Sequence, residues 1–283
     1  MKLSCLPVSL YPELTEKKRT LGDWFRFGAA LGLDGVDLSV VHLENHTPGY
    51  LAGLRQEAAD LGLQIAMMVT YADFTHPDAQ ERARHVDDVR HFIEVGTHLG
   101  LEFLRVTAGQ DHPGLERAAA TDWAVAGLTA CLEEAKAAGI TLLYENHTKG
   151  YAWTHTDFSM PTDIFLDIMR RTEDTDLMLL FDTANTLAVG DDPVAVVEQV
   201  KHRIRCIHVN DIAKRGEFTP VVHGTGVAPV EAVFRTMIAD GYDGWVSVEE
   251  ASKQGDGGFE IAVPFCDRTW AAAGGTPRAH PGV

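Results

Sequence analysis

Four apolar segments in the second half of the chain each end in a side chain that can bind a cation. These side chains are Glu145, Asp182, His208 and Glu249. Taken singly, each acidic side chain is typical of a solvated loop residue, and His208 is typical of a hydrogen-bonded core histidine. Three carboxylates buried together without a cation would each cost several kcal/mol. A divalent ion compensates that cost, and this oxygen-rich set favours Mn²⁺ or Mg²⁺ while allowing Co²⁺ or Zn²⁺. The sequence therefore predicts one divalent metal ion as cofactor.

The apolar runs that carry these side chains have counterparts in the first half of the chain. Near-continuous apolar runs are typical of parallel strands that are covered on both faces. The predicted strands are residues 2–9, 35–40, 63–70, 102–107, 140–145, 177–182, 204–209 and 245–249. Amphipathic segments between them predict helices at residues 82–99, 123–138, 162–171, 193–201 and 229–240.

Eight alternations of strand and helix in a chain of 283 residues predict an α/β fold, the (β/α)8 TIM barrel, as a single domain. A doubly wound open sheet is the structural alternative, but no G-x-G-x-x-G loop follows the first predicted strand. We expect the barrel to occupy residues 1–274 and residues 275–283 to form a flexible C-terminal tail. Catalytic residues of such barrels lie at the carboxyl ends of strands, which places the four side chains at one mouth.

Each of the four side chains belongs to a short motif. The motifs are Glu-Asn-His at 145–147, Asp-Thr-Ala-Asn at 182–185, His-Val-Asn-Asp at 208–211 and Gly-Tyr-Asp-Gly-Trp-Val-Ser-Val-Glu-Glu at 241–250. In this order they resemble the xylose-isomerase-like TIM barrels, in particular the sugar phosphate isomerase/epimerase family, which includes ketose 3-epimerases, hydroxypyruvate isomerase and inosose dehydratase. The resemblance implies that the four side chains are metal ligands and that Glu145 and Glu249 are also the catalytic acid and base. The family register and the alternation of side chains along a strand both select Glu249 over Glu250.

The resemblance implies a metal-dependent isomerase or epimerase of carbohydrate metabolism. We expect it to act on an α-hydroxyketone or aldose through an enediolate, with the ion polarising the carbonyl and the two glutamates moving protons. The alternative is a dehydratase of a keto-inositol-type cyclic polyol. An apurinic-site endonuclease would need extra histidine ligands, and Asn185 replaces one of them. A sugar-binding barrel without catalysis would have no reason to keep all four ligand types.

Further side chains near the motifs are substrate-binding candidates. These are His147, Asn185, Asp211 and Lys214. His147 shares the strand side of Glu145 if the strand continues, whereas Asp211 is also typical of a helix cap. Lys214 stands where the epimerases often have arginine. Arg105 would carry a costly charge into the barrel, so it is a candidate for an anionic substrate group. The loop at 148–160 is open to interpretation as a lid, a pocket wall or an oligomer contact.

Charge and cysteine usage limit the partners. Asp and Glu number 41 against 24 Lys and Arg, a net charge of −17, which opposes nucleic acid or an anionic membrane as partner. The four cysteines form no CxxC pair, and no apolar run reaches the length of a membrane span. We therefore expect a cytoplasmic protein with a small-molecule carbohydrate substrate. The resemblance also implies that the chain forms a homodimer or homotetramer.

Overall fold

The computed structural model describes residues 1–279, and its centre is a barrel of eight parallel strands. The barrel strands are β1 (Lys2–Leu6), β2 (Gly35–Ser39), β3 (Gln64–Val69), β4 (Phe103–Val106), β5 (Thr141–Glu145), β6 (Met178–Asp182), β7 (Ile204–Val209) and β10 (Trp245–Glu249). Neighbours in the chain are neighbours in the barrel, and β10 pairs with β1. The predicted (β/α)8 TIM barrel is confirmed.

The barrel closes at the seam between β1 and β2, the two ends of the paired sheet. There the Ser4 hydroxyl donates a hydrogen bond of 2.9 Å to Asp37 Oδ2. The backbone N–H of Leu3 donates to Asp34 Oδ2 over 2.8 Å. These contacts hold the two strands side by side, so the barrel is nearly closed.

Helices cover the outer face of the barrel. They are α1 (Tyr11–Thr15), α2 (Leu21–Ala30), α3 (Pro48–Asp60), α4 (Ala79–Leu99), α5 (Arg117–Thr129), α6 (Leu132–Ala137), α7 (Thr162–Arg171), α8 (Asn185–Ala188), α9 (Pro193–Val200), α10 (Val230–Ala239) and α11 (Asp256–Ala272). Thr20 and Asp23 form a capping box that begins α2, and Asp192 caps α9. Gly100, at φ 73°, ends α4 in the left-handed conformation that favours glycine.

Alternation along the strands divides the apolar residues into two layers. Tyr144 and Phe181 pack outward against the helices, whereas Leu143 and Leu180 fill the barrel interior. Because side chains alternate across a strand, the residue two places after an interior residue also points inward. This rule brings the last residues of β5 and β6, and likewise His208 of β7, to the inner side of the mouth.

Two elements differ from the sequence expectation. The predicted helix at 123–138 is two helices, α5 and α6, because Cys131 leaves the helical conformation with φ −119° and ψ 15°. Just before it, the Thr129 hydroxyl donates to the Val125 carbonyl, a bond that bends helices. The other difference is an antiparallel hairpin after β7, formed by β8 (Ile212–Lys214) and β9 (Glu217–Pro220).

The C-terminal segment after α11 includes one buried cation. Arg278 hydrogen-bonds Asp267, and its guanidinium also donates to the Gly32 carbonyl over 2.8 Å. The predicted flexible tail at 275–283 falls in part outside the described residues, so it stays a prediction. Within residues 1–279, no helix has the length and apolar character that crossing a membrane requires.

Candidate metal centre

Four side chains meet at the carboxyl ends of β5, β6, β7 and β10. Glu145, Asp182, His208 and Glu249 each offer one ligand atom, and these atoms all lie within 4.8 Å of one another. His208 Nδ1 lies 3.0 Å from Glu145 Oε1 and 3.2 Å from Glu249 Oε2. The structure therefore brings together all four residues that the sequence predicts as metal ligands.

Unpartnered buried oxygens show that the cluster fits a cation. Asp182 Oδ1 accepts the backbone N–H groups of Ala184 and Asn185, both over 2.7 Å, which fixes the carboxylate. Its other oxygen, Oδ2, is buried without a hydrogen-bond partner among the described residues. Buried carboxylate oxygens are normally partnered, so an orphaned one beside two further carboxylates fits a divalent ion.

The electrostatics of the cluster depend on how its charges compensate one another. Burial and repulsion from Glu249 and Glu145 raise the pKa of Asp182 well above its usual range. Burial alone would lower the pKa of His208, but the carboxylates of Glu145 and Glu249 outweigh it and raise that pKa to about 10. Burial opposes ionisation of Glu145, yet Arg105 and His208 lower its pKa to about 2. The raised pKa values of Asp182 and His208 favour their protonated forms, which reduces the negative charge of the cluster as a bound divalent cation would.

Arg105 of β4 is a cation inside the barrel mouth. Its Nε lies 3.2 Å from Glu145 Oε2, and both side chains are almost fully buried, 4% and 1% exposed. Nη1 donates to the Thr70 carbonyl over 2.9 Å, and the guanidinium lies 5.4 Å from the ring centre of Tyr71. Arg105 therefore neutralises part of the carboxylate charge, and it also anchors Glu145 from the side away from His208.

Two of the predicted substrate-binding residues are buried close to the ligands. His147, two residues after Glu145, is 8% exposed, and its Nδ1 lies 3.4 Å from Asp157 Oδ2. Asn185 begins α8, and its Oδ1 is buried without a hydrogen-bond partner among the described residues. His147 Nδ1 and Asn185 Oδ1 are thus buried polar atoms without a hydrogen-bond partner among the described residues.

The other two predicted substrate-binding residues lie elsewhere. The Asp211 carboxylate accepts four backbone N–H groups from its own loop and the Gly-rich loop that follows. The donors are Ile212, Gly224, Gly226 and Ala228. Lys214 is exposed on the β8–β9 hairpin and pairs with Glu217. Within the described part of the chain, no hydrogen bond or ion pair joins either residue to the four ligands. The Asp211 carboxylate closes its own loop, and the Lys214 side chain is exposed to solvent.

The loop after β5 crosses the mouth. The ring of Tyr151 packs edge-on against Tyr11, which follows β1 on the opposite side of the barrel, with ring centres 5.2 Å apart. The Trp153 indole N–H donates to the Tyr71 carbonyl over 3.1 Å. At the same mouth Asp182 is 0% and His208 is 1% exposed. The two contacts place the loop across the mouth, and its role as lid, pocket wall or oligomer contact stays a prediction.

Several residues of the site escaped the sequence reasoning. Asp37, in the interior of β2, accepts hydrogen bonds from Ser4 and Ser247 and is fully buried. Asp157 and Tyr71 lie in loops whose paths no local pattern predicts. The one available signal was Asp37 itself, an acidic residue within the apolar run of residues 35–40.

Comparison with known proteins gives the class. The family model described as Xylose isomerase-like TIM barrel matches residues 25–267, and the chain belongs to this family. Among solved structures, the IOLI protein with a bound zinc atom superposes with a TM-score of 0.78 at 16% identity, covering 96% of this chain and 99% of that one. At this identity the likeness shows the fold of the chain.

Two curated relatives are more specific. An inosose dehydratase of Clostridium beijerinckii is 26% identical over 129 residues, which cover 39% of this chain and 40% of the relative. A 3-dehydroshikimate dehydratase of Pseudomonas aeruginosa is 24% identical over 260 residues, which cover 88% of this chain and 38% of the relative. The chain thus spans about two fifths of the length of the curated relatives it matches.

These relatives correct the expected reaction. The prediction of an isomerase or epimerase is wrong, because the curated relatives are named as dehydratases. Matching ketose epimerase structures are 18% and 19% identical and share the fold. The ligand motifs misled the prediction because one set of metal ligands serves several outcomes of the same proton abstraction, so the motifs do not select among them.

Proposed function

We propose that the chain is a divalent-metal-dependent dehydratase that removes water from a cyclic hydroxyketone of the keto-inositol type. The observation that carries the proposal is the cluster of Glu145, Asp182, His208 and Glu249, with its ligand atoms within 4.8 Å of one another. The names of the curated relatives support dehydration as the reaction type.

The donor set also indicates the ion. Three carboxylates and one imidazole suit Mn²⁺ or Mg²⁺, and Zn²⁺ or Co²⁺ also accept such ligands. The four side chains would hold the ion, and the carbonyl and a neighbouring hydroxyl of the substrate would supply further oxygen ligands. When bound, the ion supplies Lewis-acid polarisation of the ketone carbonyl.

The two glutamates predicted as catalytic have different surroundings. Glu145 is held between Arg105 and His208, at 3.2 and 3.0 Å. Glu249 is the more accessible, with 19% of its side chain exposed against 1% for Glu145. We therefore assign Glu249 as the base that takes the proton from the carbon next to the carbonyl, and Glu145 as a ligand whose orientation Arg105 fixes.

We propose that His147 orients the departing hydroxyl. It lies beside Glu145, and no group of the described chain hydrogen-bonds its Nε2. We assign to this nitrogen a hydrogen bond from the β-hydroxyl that orients the C–O bond for departure, and to Glu249 the return of the abstracted proton to that oxygen as it leaves. The C–H bond next to the carbonyl and the C–O bond at the β-carbon break, a carbon–carbon double bond forms between those atoms, and one water is released.

The surroundings of Arg105 favour an uncharged ring over a carboxylated one. Its positive charge already faces the Glu145 carboxylate, and a second carboxylate in the site would add to three that are close together. Like charges at short range in a poorly solvated site are costly. We therefore propose a neutral keto-polyol as the substrate in preference to 3-dehydroshikimate.

The experiment is a mass-spectrometric assay of the Mn²⁺-loaded protein with a keto-inositol, 3-dehydroshikimate and a ketohexose. We expect the keto-inositol alone to lose the mass of one water, with the loss abolished by a chelator and by Glu249→Gln. Glu250→Gln is the matched control, since this neighbouring carboxyl hydrogen-bonds Ser252 and is outside the cluster. A product of unchanged mass, or no turnover of any cyclic hydroxyketone, would refute the dehydratase.

The proposals on partners follow from the sequence. We propose a small-molecule carbohydrate as the only substrate class, with no nucleic-acid or membrane partner, supported by the net charge of −17. A homodimer or homotetramer and a cytoplasmic location stay predictions.

A further inference from the structure

A buried carboxylate within the loop after β5 faces His147. Asp157 Oδ1 accepts the backbone N–H and the hydroxyl of Ser159, both over 2.7 Å. Its other oxygen, Oδ2, faces His147 Nδ1 at 3.4 Å, and both atoms are buried without a hydrogen bond among the described residues. A fully buried carboxylate that leaves one oxygen to a single imidazole calls for an explanation, since such oxygens are normally satisfied.

The backbone around Asp157 is fixed from two sides. Its N–H donates to the Thr148 carbonyl over 2.7 Å, which closes the neck of the loop after β5. The next residue, Phe158, donates to the Gly109 carbonyl over 2.8 Å, which ties the segment to the loop after β4. With its backbone and Oδ1 both anchored, the carboxylate has little freedom to turn away from His147.

The imidazole is also held on its other side. The ring of Trp153 meets that of His147 edge-on, with ring centres 5.6 Å apart and planes at 82°. Trp153 is in turn anchored by its indole N–H on the Tyr71 carbonyl, 3.1 Å away. Asp157 and Trp153 thus fix where the ring lies and which nitrogen faces the protein.

We propose that Asp157 is a positioning residue that keeps a proton on Nδ1 of His147 and thereby presents Nε2 to the substrate. An anionic oxygen accepts from an N–H and repels a lone pair, so the Nδ1–H tautomer is the one that Asp157 stabilises. A buried carboxylate that accepts from Nδ1–H is a recurrent way to fix the tautomer of an imidazole and to leave Nε2 as the acceptor. The consequence for turnover rests on the proposed function, whereas the tautomer does not.

The test reads the tautomer directly, by NMR of the Mg²⁺-loaded full chain carrying ¹⁵N-labelled histidine. The His147 signals are assigned from their loss in His147→Gln. We expect the Nδ1–H tautomer in the wild type and a shift to Nε2–H in Asp157→Asn, because the new amide can donate to Nδ1. Ser159→Ala, which releases Oδ1, should shift the population in the same direction to a smaller extent.

Kinetics and a matched control separate positioning from a general structural role. With the substrate found by the mass assay, Asp157→Asn should lower kcat roughly 10- to 100-fold while KM and Mn²⁺ affinity change by less than about twofold. Asp163→Asn, an exposed aspartate of α7, should change none of these quantities. An unchanged tautomer in Asp157→Asn would overturn the proposal. If no hydroxyketone is dehydrated, the proposed function fails, and the NMR result still decides the role of Asp157.

Discussion

At the scale of single residues, the site is defined by polar atoms that the protein leaves without partners. Asp182 Oδ2 and Asn185 Oδ1 are both buried without a hydrogen bond in the described structure. At Asp211, by contrast, four backbone N–H groups satisfy the buried carboxylate. The contrast distinguishes Asp211, whose carboxylate holds a loop, from Asp182, whose free oxygen fits a bound cation.

Removal of a single ligand should weaken metal binding. Glu249→Gln replaces a charged oxygen ligand with a neutral amide, and we expect Mn²⁺ affinity to fall by at least roughly tenfold, since even changes outside the ligand set cost that much. Isothermal titration calorimetry measures the change. Glu250→Gln, the adjacent carboxyl, should leave the affinity within about twofold. Equal losses in both variants would show that Glu249 has been wrongly chosen over its neighbour.

Asp211 should matter for stability. Asp211→Ala leaves four loop N–H groups without their acceptor, and we expect the free energy of unfolding to drop by about 2–4 kcal/mol. Lys214→Ala, at an exposed ion pair on the same segment, should change it by less than about 0.5 kcal/mol. Urea denaturation followed by circular dichroism compares the two. A strong effect on substrate KM without a stability change in Asp211→Ala would instead restore the predicted substrate contact.

Residue identity alone predicted part of the site. The four ligands stand at the ends of apolar runs or within them, so the meeting of strand ends at one barrel mouth, together with the family resemblance, predicted that they come together. Arg105 was found as a charge inside an apolar strand. Asp157 and Tyr71 were missed because their positions depend on loop paths, which are set by tertiary contacts such as the Trp153 indole on the Tyr71 carbonyl.

At the scale of elements, the strands provide the ligands and the loops decide access to them. The strands were predictable because burial on both faces demands continuous apolar runs. The break between α5 and α6 was not predictable, because the apolar stripe continues across it. The β8–β9 hairpin was missed as well, since its short strands are largely exposed and carry no periodic pattern.

The loop after β5 should control exchange of the ion. Trp153→Ala removes the indole that anchors the loop on the Tyr71 carbonyl, so we expect Mn²⁺ to be lost to excess chelator several-fold faster while equilibrium affinity changes little. Stopped-flow mixing with a fluorescent chelator measures the rate. Phe218→Ala, an exposed aromatic on the hairpin, is the control. Identical release rates for wild type and Trp153→Ala would mean that the loop does not gate the site.

At the scale of the whole molecule, the barrel gathers charge that the sequence distributes over more than a hundred residues. With a net charge of −17, the chain has an excess of carboxylates whose negative charge bound protons or cations can compensate. At the mouth, Arg105 and the raised pKa values of Asp182 and His208 show this compensation at close range. We therefore expect metal binding to release protons.

The coupling predicts the direction of a pH dependence. Below their raised pKa values, Asp182 and His208 carry protons that the ion must displace, and His208 keeps its proton up to about pH 10. Mn²⁺ affinity should therefore rise with pH between about 6 and 8, by up to roughly tenfold per unit for each proton released. Calorimetry in two buffers of different ionisation enthalpy counts the protons. An affinity that is independent of pH would contradict these charge states.

The central claim is that one divalent ion lies among these four side chains, and anomalous scattering from a crystal of the full chain grown with Mn²⁺ tests it most directly. The account predicts a single anomalous peak roughly 2.0–2.3 Å from the carboxylate oxygens of Glu145, Asp182 and Glu249 and from Nδ1 of His208. A map without a peak between them, with the four side chains turned apart, would contradict it.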